Sequence, residues 1–194
     1  SEIEFASWFT KSPIIGVTGS NGKSTTVKML EPIFKTKFEN TLLGGNIGIP
    51  FSKNVLKEKK DDLKNSIHIL ELSSFQLEKI DTFKPYIACI LNLSEDHLDR
   101  YTSVSDYYNA KLNITKNLNK ESYLIYNKKD KDFYSPLEQK TNLIEFALKG
   151  SNINFFLDEN HIVDYKKNQI LIDCKKIKLK GNHNIENILA SNKI

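Results

Sequence analysis

A short glycine-rich turn between an apolar run and a helical pattern constrains this chain more than any other feature. The apolar run Ile14–Val17 leads into Thr-Gly-Ser-Asn-Gly-Lys-Ser-Thr at residues 18–25, and a helix is predicted from Lys23 to Phe34. Strand, glycine turn, Gly-Lys-Ser and helix is the order found in phosphate-binding loops, or P-loops. The turn therefore predicts an α/β fold with a nucleotide phosphate site at one edge of its sheet.

Each residue type in this loop has a use in holding phosphate. Two glycines let backbone N–H groups approach phosphate oxygens, and the start of a helix adds its positive dipole end. The Lys23 ammonium can reach the outer phosphates, and the Ser24 hydroxyl can ligate Mg²⁺. The predicted cofactor-binding set is Gly19, Ser20, Asn21, Gly22, Lys23, Ser24 and Thr25. The alternative is a helix start with a chance Gly-Lys-Ser, since Val17 stands where the general pattern has its first glycine.

The rest of the chain alternates short apolar runs with helical segments up to about residue 148. Strands are predicted at 13–18, 41–43, 67–72, 86–93, 123–126 and 143–146, with helices at about 105–117 and between the last two strands. This alternation indicates a mostly parallel sheet with helices on both faces. Three short runs within 153–180, separated by polar turns, predict a small antiparallel β region before a final helix.

Composition limits the classes of protein to consider. The 194 residues are 39% hydrophobic and 27% charged, as in an ordinary globular domain. A net charge of +4 from scattered lysines does not indicate nucleic-acid binding, and we expect no membrane span and no signal peptide. Cys89 and Cys174 fit no metal spacing, so they are predicted to be reduced thiols in the cytoplasm.

Five ordered motifs, spanning residues 16 to 190, resemble the Mur ligase family, which includes folylpolyglutamate synthetases. They are the P-loop, Gly-Gly-Asn-Ile-Gly-Ile-Pro at 44–50, Glu-Leu-Ser-Ser-Phe-Gln-Leu-Glu at 71–78, Asn-Leu-Ser-Glu-Asp-His at 92–97 with the Ala-Lys pair at 110–111, and Gly-Asn-His-Asn-Ile-Glu-Asn at 181–187. The family does not keep the first glycine of the general P-loop pattern, which accounts for Val17. The motifs at 44–50 and 71–78 are especially similar to the D-glutamate-adding branch of the family.

The resemblance implies roles for particular residues outside the loop. Glu71, at the end of a predicted strand, would hold Mg²⁺ beside the phosphates, unless it is merely an exposed strand-end acid. His97 would ligate or adjoin a second Mg²⁺, unless it is structural. Lys111 would be carbamylated by CO₂ and help to hold that second ion, unless it extends along an apolar helix face into water. Lys23, Glu71, His97 and Lys111 are the predicted catalytic set, and Ser24, Glu71, His97 and the Lys111 carbamate are the predicted metal ligands.

Three asparagines complete the implied site. Asn184 and Asn187 lie one turn apart on the last predicted helix and would read the adenine of ATP, because an amide both donates and accepts hydrogen bonds. The alternative is that Asn182 or Asn184 merely caps that helix. Asn46 resembles the family residue that contacts the muramoyl-peptide substrate near the transferred phosphate.

The implied reaction is an ATP-dependent amide ligation in peptidoglycan precursor synthesis. The carboxylate of UDP-N-acetylmuramoyl-L-alanine would be phosphorylated to an acyl phosphate, which the amine of D-glutamate then attacks, with two Mg²⁺ ions assisting. The alternatives are a folylpolyglutamate synthetase-like ligase and a nucleotide-binding module without catalysis. Neither nucleic acid nor a membrane is an expected partner.

The ends of the chain suggest a fragment of a longer enzyme. Residue 1 is Ser1 rather than Met, and an apolar helical stripe is still running where the chain stops at Ile194. Residues 1–194 are therefore expected to form a central ATPase domain, with residues 1–12 as a linker from a missing N-terminal domain and with the C-terminal domain also missing. Alone, such a fragment is expected to ligate nothing.

Overall fold

A parallel six-stranded sheet forms the centre of this computed structural model, which describes residues 1–94, 101–148, 155–158, 161–164, 169–173 and 181–194. Within those ranges the strand order is β2-β3-β1-β4-β5-β6, and every neighbouring pair is parallel. The strands are β1 (Ile14–Thr18), β2 (Asn40–Gly45), β3 (Ser66–Glu71), β4 (Ile87–Ile90), β5 (Tyr123–Asn127) and β6 (Asn142–Phe146).

Helices cover both faces of this sheet. They are α1 (Glu2–Ser7), α2 (Lys23–Phe34), α3 (Phe51–Lys60), α4 (Ser74–Leu77), α5 (Val104–Leu112) and α6 (Asn182–Ser191). Buried residues of α2 and α6 share one core with Ile15 and Val17, whereas α1, α3 and α4 share the other with Ile14 and Leu70. The predicted fold, a parallel sheet with helices on both faces, is confirmed.

Strand β1 occupies the middle of the sheet, and its residues are all buried. Successive side chains of a strand point to opposite faces, so β1 needs apolar residues at consecutive positions to fill both cores. After β1 the chain crosses to β2 on one side, and after β4 it crosses to β5 on the other. Connections that diverge in this way open a crevice at the carboxyl ends of the two strands, where open α/β sheets bind their ligands.

The predicted antiparallel region is also present. Strands β7 (Phe155–Asp158), β8 (His161–Asp164) and β9 (Gln169–Asp173) form a separate antiparallel sheet, with an irregularity in register between Ile162 and Val163. The final helix, α6, ends at Ser191, before the last residue of the chain. The expectation that this helix is still running at Ile194 is therefore wrong.

Two further expectations need correction. The helix predicted between β5 and β6 is instead a pair of 3-10 segments, Lys128–Phe133 and Ser135–Leu137, with Pro136 near the start of the second. Because proline has no N–H and restricts the residue before it, a continuous α-helix is disfavoured here. Strand β4 is shorter than the predicted 86–93, because the backbone beyond it follows the P-loop, where the Ser20 N–H donates to the Asn92 carbonyl at 3.1 Å.

The segment 1–12 contains a helix that is fastened to the core by a buried carboxylate. Ile3 is fully buried in the core, and Glu4 is 6% exposed. The Glu4 carboxylate accepts hydrogen bonds from the backbone N–H groups of Asp81, Thr82 and Phe83 at 2.8, 2.8 and 2.9 Å. Burial raises the pKa of Glu4, but the hydrogen bonds from the Thr82 side chain and these N–H groups outweigh it and lower the pKa to about 2.

A second buried carboxylate joins the loop before β1 to α3 and β3. Glu58 accepts hydrogen bonds from the hydroxyls of Ser12 and Thr10 at 2.5 and 2.7 Å, and one of its oxygens lies 2.9 Å from His68 Nε2. Burial lowers the pKa of His68, so the ring is neutral at pH 7 and its Nε2–H donates to Glu58. His68, which fits no motif, thus has a structural role.

Two expectations drawn from composition can be compared with the structure. The Cys89 thiol is free and buried in β4, and burial raises its pKa, as expected of an inert thiol; Cys174 lies outside the described residues. In the described ranges, each helix is too short or too polar to cross a bilayer.

We predict that Glu4→Gln lowers the free energy of unfolding by about 2 kcal/mol at pH 7, because an amide group replaces one of the oxygens that accept these bonds. The folded-state pKa of Glu4 is depressed, so its stabilising contribution is present above pH 4.5 and is lost as the pH falls towards 2. The difference between wild type and variant should shrink over that interval. Urea unfolding followed by circular dichroism measures it.

Glu2→Gln is the matched control on the same helix. The Glu2 carboxylate is exposed and accepts one backbone hydrogen bond, from Ser52 at 2.5 Å. Its substitution should change the stability far less. Equal losses from the two variants would show that the bonds to residues 81–83 do not anchor α1.

Candidate functional site

The P-loop lies at the crevice between β1 and β4. It leaves β1 after Thr18 and enters α2 at Lys23, as the sequence predicts. Gly22 has φ +86°, and a Cβ atom placed there would lie 2.2 Å from Asn187 Oδ1. A larger residue would be strained by this backbone conformation and would also displace the Asn187 side chain of α6.

The Lys23 ammonium lies across the loop. Its Nζ donates to the carbonyl oxygens of Gly19 and Ser20, at 2.7 and 2.8 Å. Both partners are neutral, whereas a phosphate would offer charged oxygens, which form stronger hydrogen bonds. Thr25, the last residue of the predicted set, lies half-buried in the first turn of α2.

Asn92 and Ser94, which follow the end of β4, hold the loop in place. The Asn92 side chain accepts from the Asn21 N–H at 2.9 Å and donates to the Asn21 carbonyl at 3.0 Å. The Ser20 hydroxyl donates to the Ser94 carbonyl at 2.7 Å and accepts from the Ser94 N–H at 3.0 Å. No role was predicted for Asn92 or Ser94, although both belong to the motif at 92–97.

Glu71 lies beside the start of α2, as predicted, and it is not an exposed acid, since only 2% of its surface is accessible. Its Oε2 accepts a hydrogen bond from Ser24 Oγ at 2.6 Å, and its Oε1 accepts one from Asn46 Nδ2 at 2.8 Å. The structure therefore brings together a carboxylate, a hydroxyl and an amide that are far apart in the sequence.

This group fits the hard oxygen ligands that Mg²⁺ prefers. Adjacent ligands of an octahedral Mg²⁺ lie roughly 2.9 Å apart, close to the separation of Ser24 Oγ and Glu71 Oε2. Among the described residues, no three His, Cys, Asp or Glu side chains converge on one point. Ser24 and Glu71 could thus hold an ion whose other ligands are phosphate oxygens and water, as is usual for Mg²⁺ at nucleotides.

Lys111 is buried and reaches the same loop from α5. It is 2% exposed, its Nζ donates to the Gly19 carbonyl at 3.1 Å, and the nitrogen lies 4.3 Å from the centre of the Tyr107 ring. The Tyr107 hydroxyl is 3.3 Å from Ser20 Oγ. A lysine that extends into water would be exposed, so this alternative does not describe Lys111.

Helix α6 closes the other side of the loop. Asn21, Gly22, Asn92, His183 and Asn187 line a cavity of about 350 Å³. Asn184 lies one turn earlier, outside that lining, and its backbone N–H donates to the Gly181 carbonyl at 3.0 Å. The N-cap of α6 is Gly181, so neither Asn182 nor Asn184 is the N-cap.

Two histidines belong to the motifs that predict the site. His183 belongs to the motif at 181–187, but no role was predicted for it; its place in this cavity is visible only once α6 is packed against the loop. His97, predicted as a catalytic residue and metal ligand, lies outside the described residues.

Comparisons with known proteins agree with these motifs. A family model described as the Mur ligase middle domain matches residues 17–193. Two curated relatives are named UDP-N-acetylmuramoylalanine–D-glutamate ligase. The protein from Christiangramia forsetii is 38% identical over 100% of this chain and 44% of its own length, and that from Fusobacterium nucleatum is 41% identical over 92% and 40%. The chain thus spans less than half the length of these relatives.

A solved structure shows the same fold. The MurF ligase from Thermotoga maritima in complex with ADP has a TM-score of 0.67 and 21% identity, over 98% of this chain and 47% of that one. At this identity the likeness concerns the fold alone. The family match covers most of the chain, and together with the motifs it leads to one conclusion: this chain belongs to the Mur ligase family and represents its middle domain.

Proposed function

We propose that this chain is the ATP-binding central domain of a ligase that joins D-glutamate to UDP-N-acetylmuramoyl-L-alanine in peptidoglycan precursor synthesis. The name shared by relatives up to 41% identical supports the choice of substrates. The observation that carries the chemistry is the convergence of Lys23, Glu71 and Lys111 on one P-loop. The proposal includes the division into domains expected from the sequence. It also includes a cytoplasmic location, because the proposed reaction would use ATP.

The residues at the loop suit transfer of a phosphoryl group to a carboxylate. The substrate carboxylate attacks the γ-phosphorus of ATP, the bond to the β-phosphate oxygen breaks, and ADP leaves. Lys23, whose Nζ donates to two carbonyls of the loop, would exchange these for phosphate oxygens and stabilise the charge that moves onto ADP. The amine of D-glutamate then attacks the acyl carbon, and inorganic phosphate leaves.

Ser24 and Glu71 would hold one Mg²⁺, which when bound neutralises phosphate charge. We also propose that Lys111 carries a carbamate and, with His97, holds the second ion. Burial supports this, because a buried amine is more readily neutral, and the neutral amine is the form that reacts with CO₂. Asn187 lies where the loop meets α6, a suitable position for contact with the adenine end, and Asn184 would contribute from the preceding turn.

The two alternative functions find less support. A nucleotide-binding module without catalysis needs the loop but has no use for a buried carboxylate and a buried lysine directed at it. A folylpolyglutamate synthetase-like ligase shares the fold, but the relatives reported above carry the D-glutamate ligase name. Binding of a folate rather than the muramoyl substrate by the longer enzyme would reverse this choice.

We predict that Lys23→Ala lowers the affinity of the chain for ATP about 10- to 100-fold, since it removes charge-assisted hydrogen bonds to phosphate. Lys28→Ala, which removes an exposed lysine from the next turn of α2, is the control and should leave the affinity unchanged. Calorimetric titration with ATP and Mg²⁺ measures both. If Lys23→Ala binds ATP as tightly as wild type, the loop does not hold phosphate.

We predict that ¹³C-labelled bicarbonate gives a carbamate signal in ¹³C NMR spectra of the chain with Mg²⁺ and nucleotide, and that Lys111→Ala abolishes it. In nucleotide-free protein the signal should be weaker, because the Mg²⁺ that the carbamate would help to hold is expected to bind together with nucleotide. Lys116→Ala, which removes a surface lysine that pairs with Asp81, should keep the signal.

The role of Lys111 can also be tested by measuring the activity of the longer enzyme. Lys111→Ala should slow acyl phosphate formation strongly, and acetate should partly restore the rate by supplying carboxylate oxygens in the space left by truncation. Acetate should not restore Lys23→Ala. Turnover of Lys111→Ala at the wild-type rate, or a labelled carbamate signal that survives this substitution, would contradict a role for the Lys111 carbamate.

A further inference from the structure

The turn that follows β2 is built around Glu71. Gly45 has φ +101°, and a Cβ atom there would lie 2.3 Å from the Glu71 carbonyl oxygen. The next residue, Asn46, donates its backbone N–H to that carbonyl at 2.8 Å and its side-chain amide to Glu71 Oε1, also at 2.8 Å. Both the main chain and the side chain of Asn46 therefore bind the same residue.

The orientation of the Asn46 amide follows from chemistry. A carboxylate has only acceptor oxygens, so the Asn46 atom that faces Glu71 Oε1 must be the NH₂ group. Donation to an ionised carboxylate is among the stronger hydrogen bonds in proteins. Although Asn46 is exposed, its partner Glu71 is almost fully buried, so water has little access to this carboxylate and its orientation depends on hydrogen bonds such as those from Asn46 and Ser24.

The two carboxylate oxygens of Glu71 therefore have different partners. Oε1 is occupied by Asn46, and Oε2 faces Ser24, the other oxygen that could hold Mg²⁺ at the phosphates. Without the Asn46 bond, the carboxylate could rotate about its terminal bond, where the torsional preference is broad. The amide thus fixes a single oxygen towards the metal position.

We propose that Asn46 is a positioning residue that orients the Glu71 carboxylate for Mg²⁺, in addition to any contact with the muramoyl substrate. This inference rests on the proposed function, because it requires that Mg²⁺ binds with nucleotide at Ser24 and Glu71. Partners that orient metal ligands commonly change metal affinity by about 10- to 100-fold when removed. Because Asn46 is exposed, we expect the lower end of that range.

The test measures nucleotide binding without the muramoyl substrate, so that a substrate contact by Asn46 cannot contribute. The affinity of the chain for ADP is determined by calorimetry in Mg²⁺ and in EDTA, and the ratio of the two gives the gain due to the metal. In Asn46→Ala this gain should fall about tenfold relative to wild type, while the affinity in EDTA stays unchanged. A purely structural defect would lower both affinities together.

Two further variants sharpen the test. Asn40→Ala, at the other end of β2, removes an exposed amide that donates to the Lys64 carbonyl at 2.7 Å, and it should keep the wild-type gain. Glu71→Gln should lose the gain, and adding Asn46→Ala to Glu71→Gln should cause no further loss, because Asn46 acts through Glu71.

The outcomes separate this inference from the proposed function. If wild type shows a gain from Mg²⁺ and Asn46→Ala shows the same gain, the positioning role is wrong and the proposed function stands. An equal loss in Mg²⁺ and in EDTA also overturns the positioning role. If ADP does not bind wild type, or binds with no gain from Mg²⁺, the proposed function fails and the inference fails with it.

Discussion

The complete burial of β1 at the centre of the sheet is the constraint on which the site depends. Both faces of β1 are covered by packed residues, so the first open position after this strand is at its carboxyl end, and the Gly-rich turn forms there. Strand β4 ends beside it, and the backbone at 92–94 hydrogen-bonds along the loop instead of extending the sheet. Strand order thus sets the position of the loop, and the hydrogen bonds from residues 92–94 set its shape.

Charged groups at this edge are satisfied by contacts that a ligand can replace. Lys23 and Lys111 both donate to the carbonyl of Gly19, and Glu71 accepts from a hydroxyl and an amide. These contacts limit the cost of keeping partly buried charges in the protein. In the proposed function, phosphate oxygens would replace the carbonyls that Lys23 contacts, and Mg²⁺ would replace the hydrogen bond between Ser24 and Glu71, so binding would need little rearrangement of the sheet.

Local features of the sequence predicted much of this fold. The P-loop, the helix from Lys23 to Phe34 and the order of strands and helices follow from glycine spacing and apolar periodicity. The segment between β5 and β6 was misjudged because its polar residues suit a helix, while Pro136 and the side-chain bond from the Lys129 N–H to Asn127 favour short 3-10 turns. Periodicity carries little information about such irregular segments.

The site was predicted less completely than the fold, because its contacts join distant parts of the chain. Motif resemblance selected Glu71, Asn46 and Lys111, and the structure shows Glu71 and Asn46 in direct contact and Lys111 against the loop. The motif resemblance did not reveal that Asn92 pairs with Asn21, or that His183 faces the loop, since neither contact leaves a local pattern in the sequence. Such pairings become visible only when β4 and α6 are packed beside the loop.

The buried carboxylates differ in a way that separates structural from functional positions. Glu4 accepts hydrogen bonds from three successive backbone N–H groups, and Glu58 accepts from two hydroxyls and an imidazole. Burial raises the pKa of Glu58, but its hydrogen bonds from Ser12, His68 and Thr10 outweigh burial and lower it, so both residues remain ionised and fasten elements together. Glu71 accepts one side-chain bond at each oxygen, and one of those donors, Ser24, is itself suited to a metal. The donors of Glu4 and Glu58 are backbone or side-chain groups that join elements of the fold, whereas the donor at Glu71 Oε2 is a hydroxyl that could itself ligate Mg²⁺, so in the proposed function an incoming ion would replace that hydrogen bond.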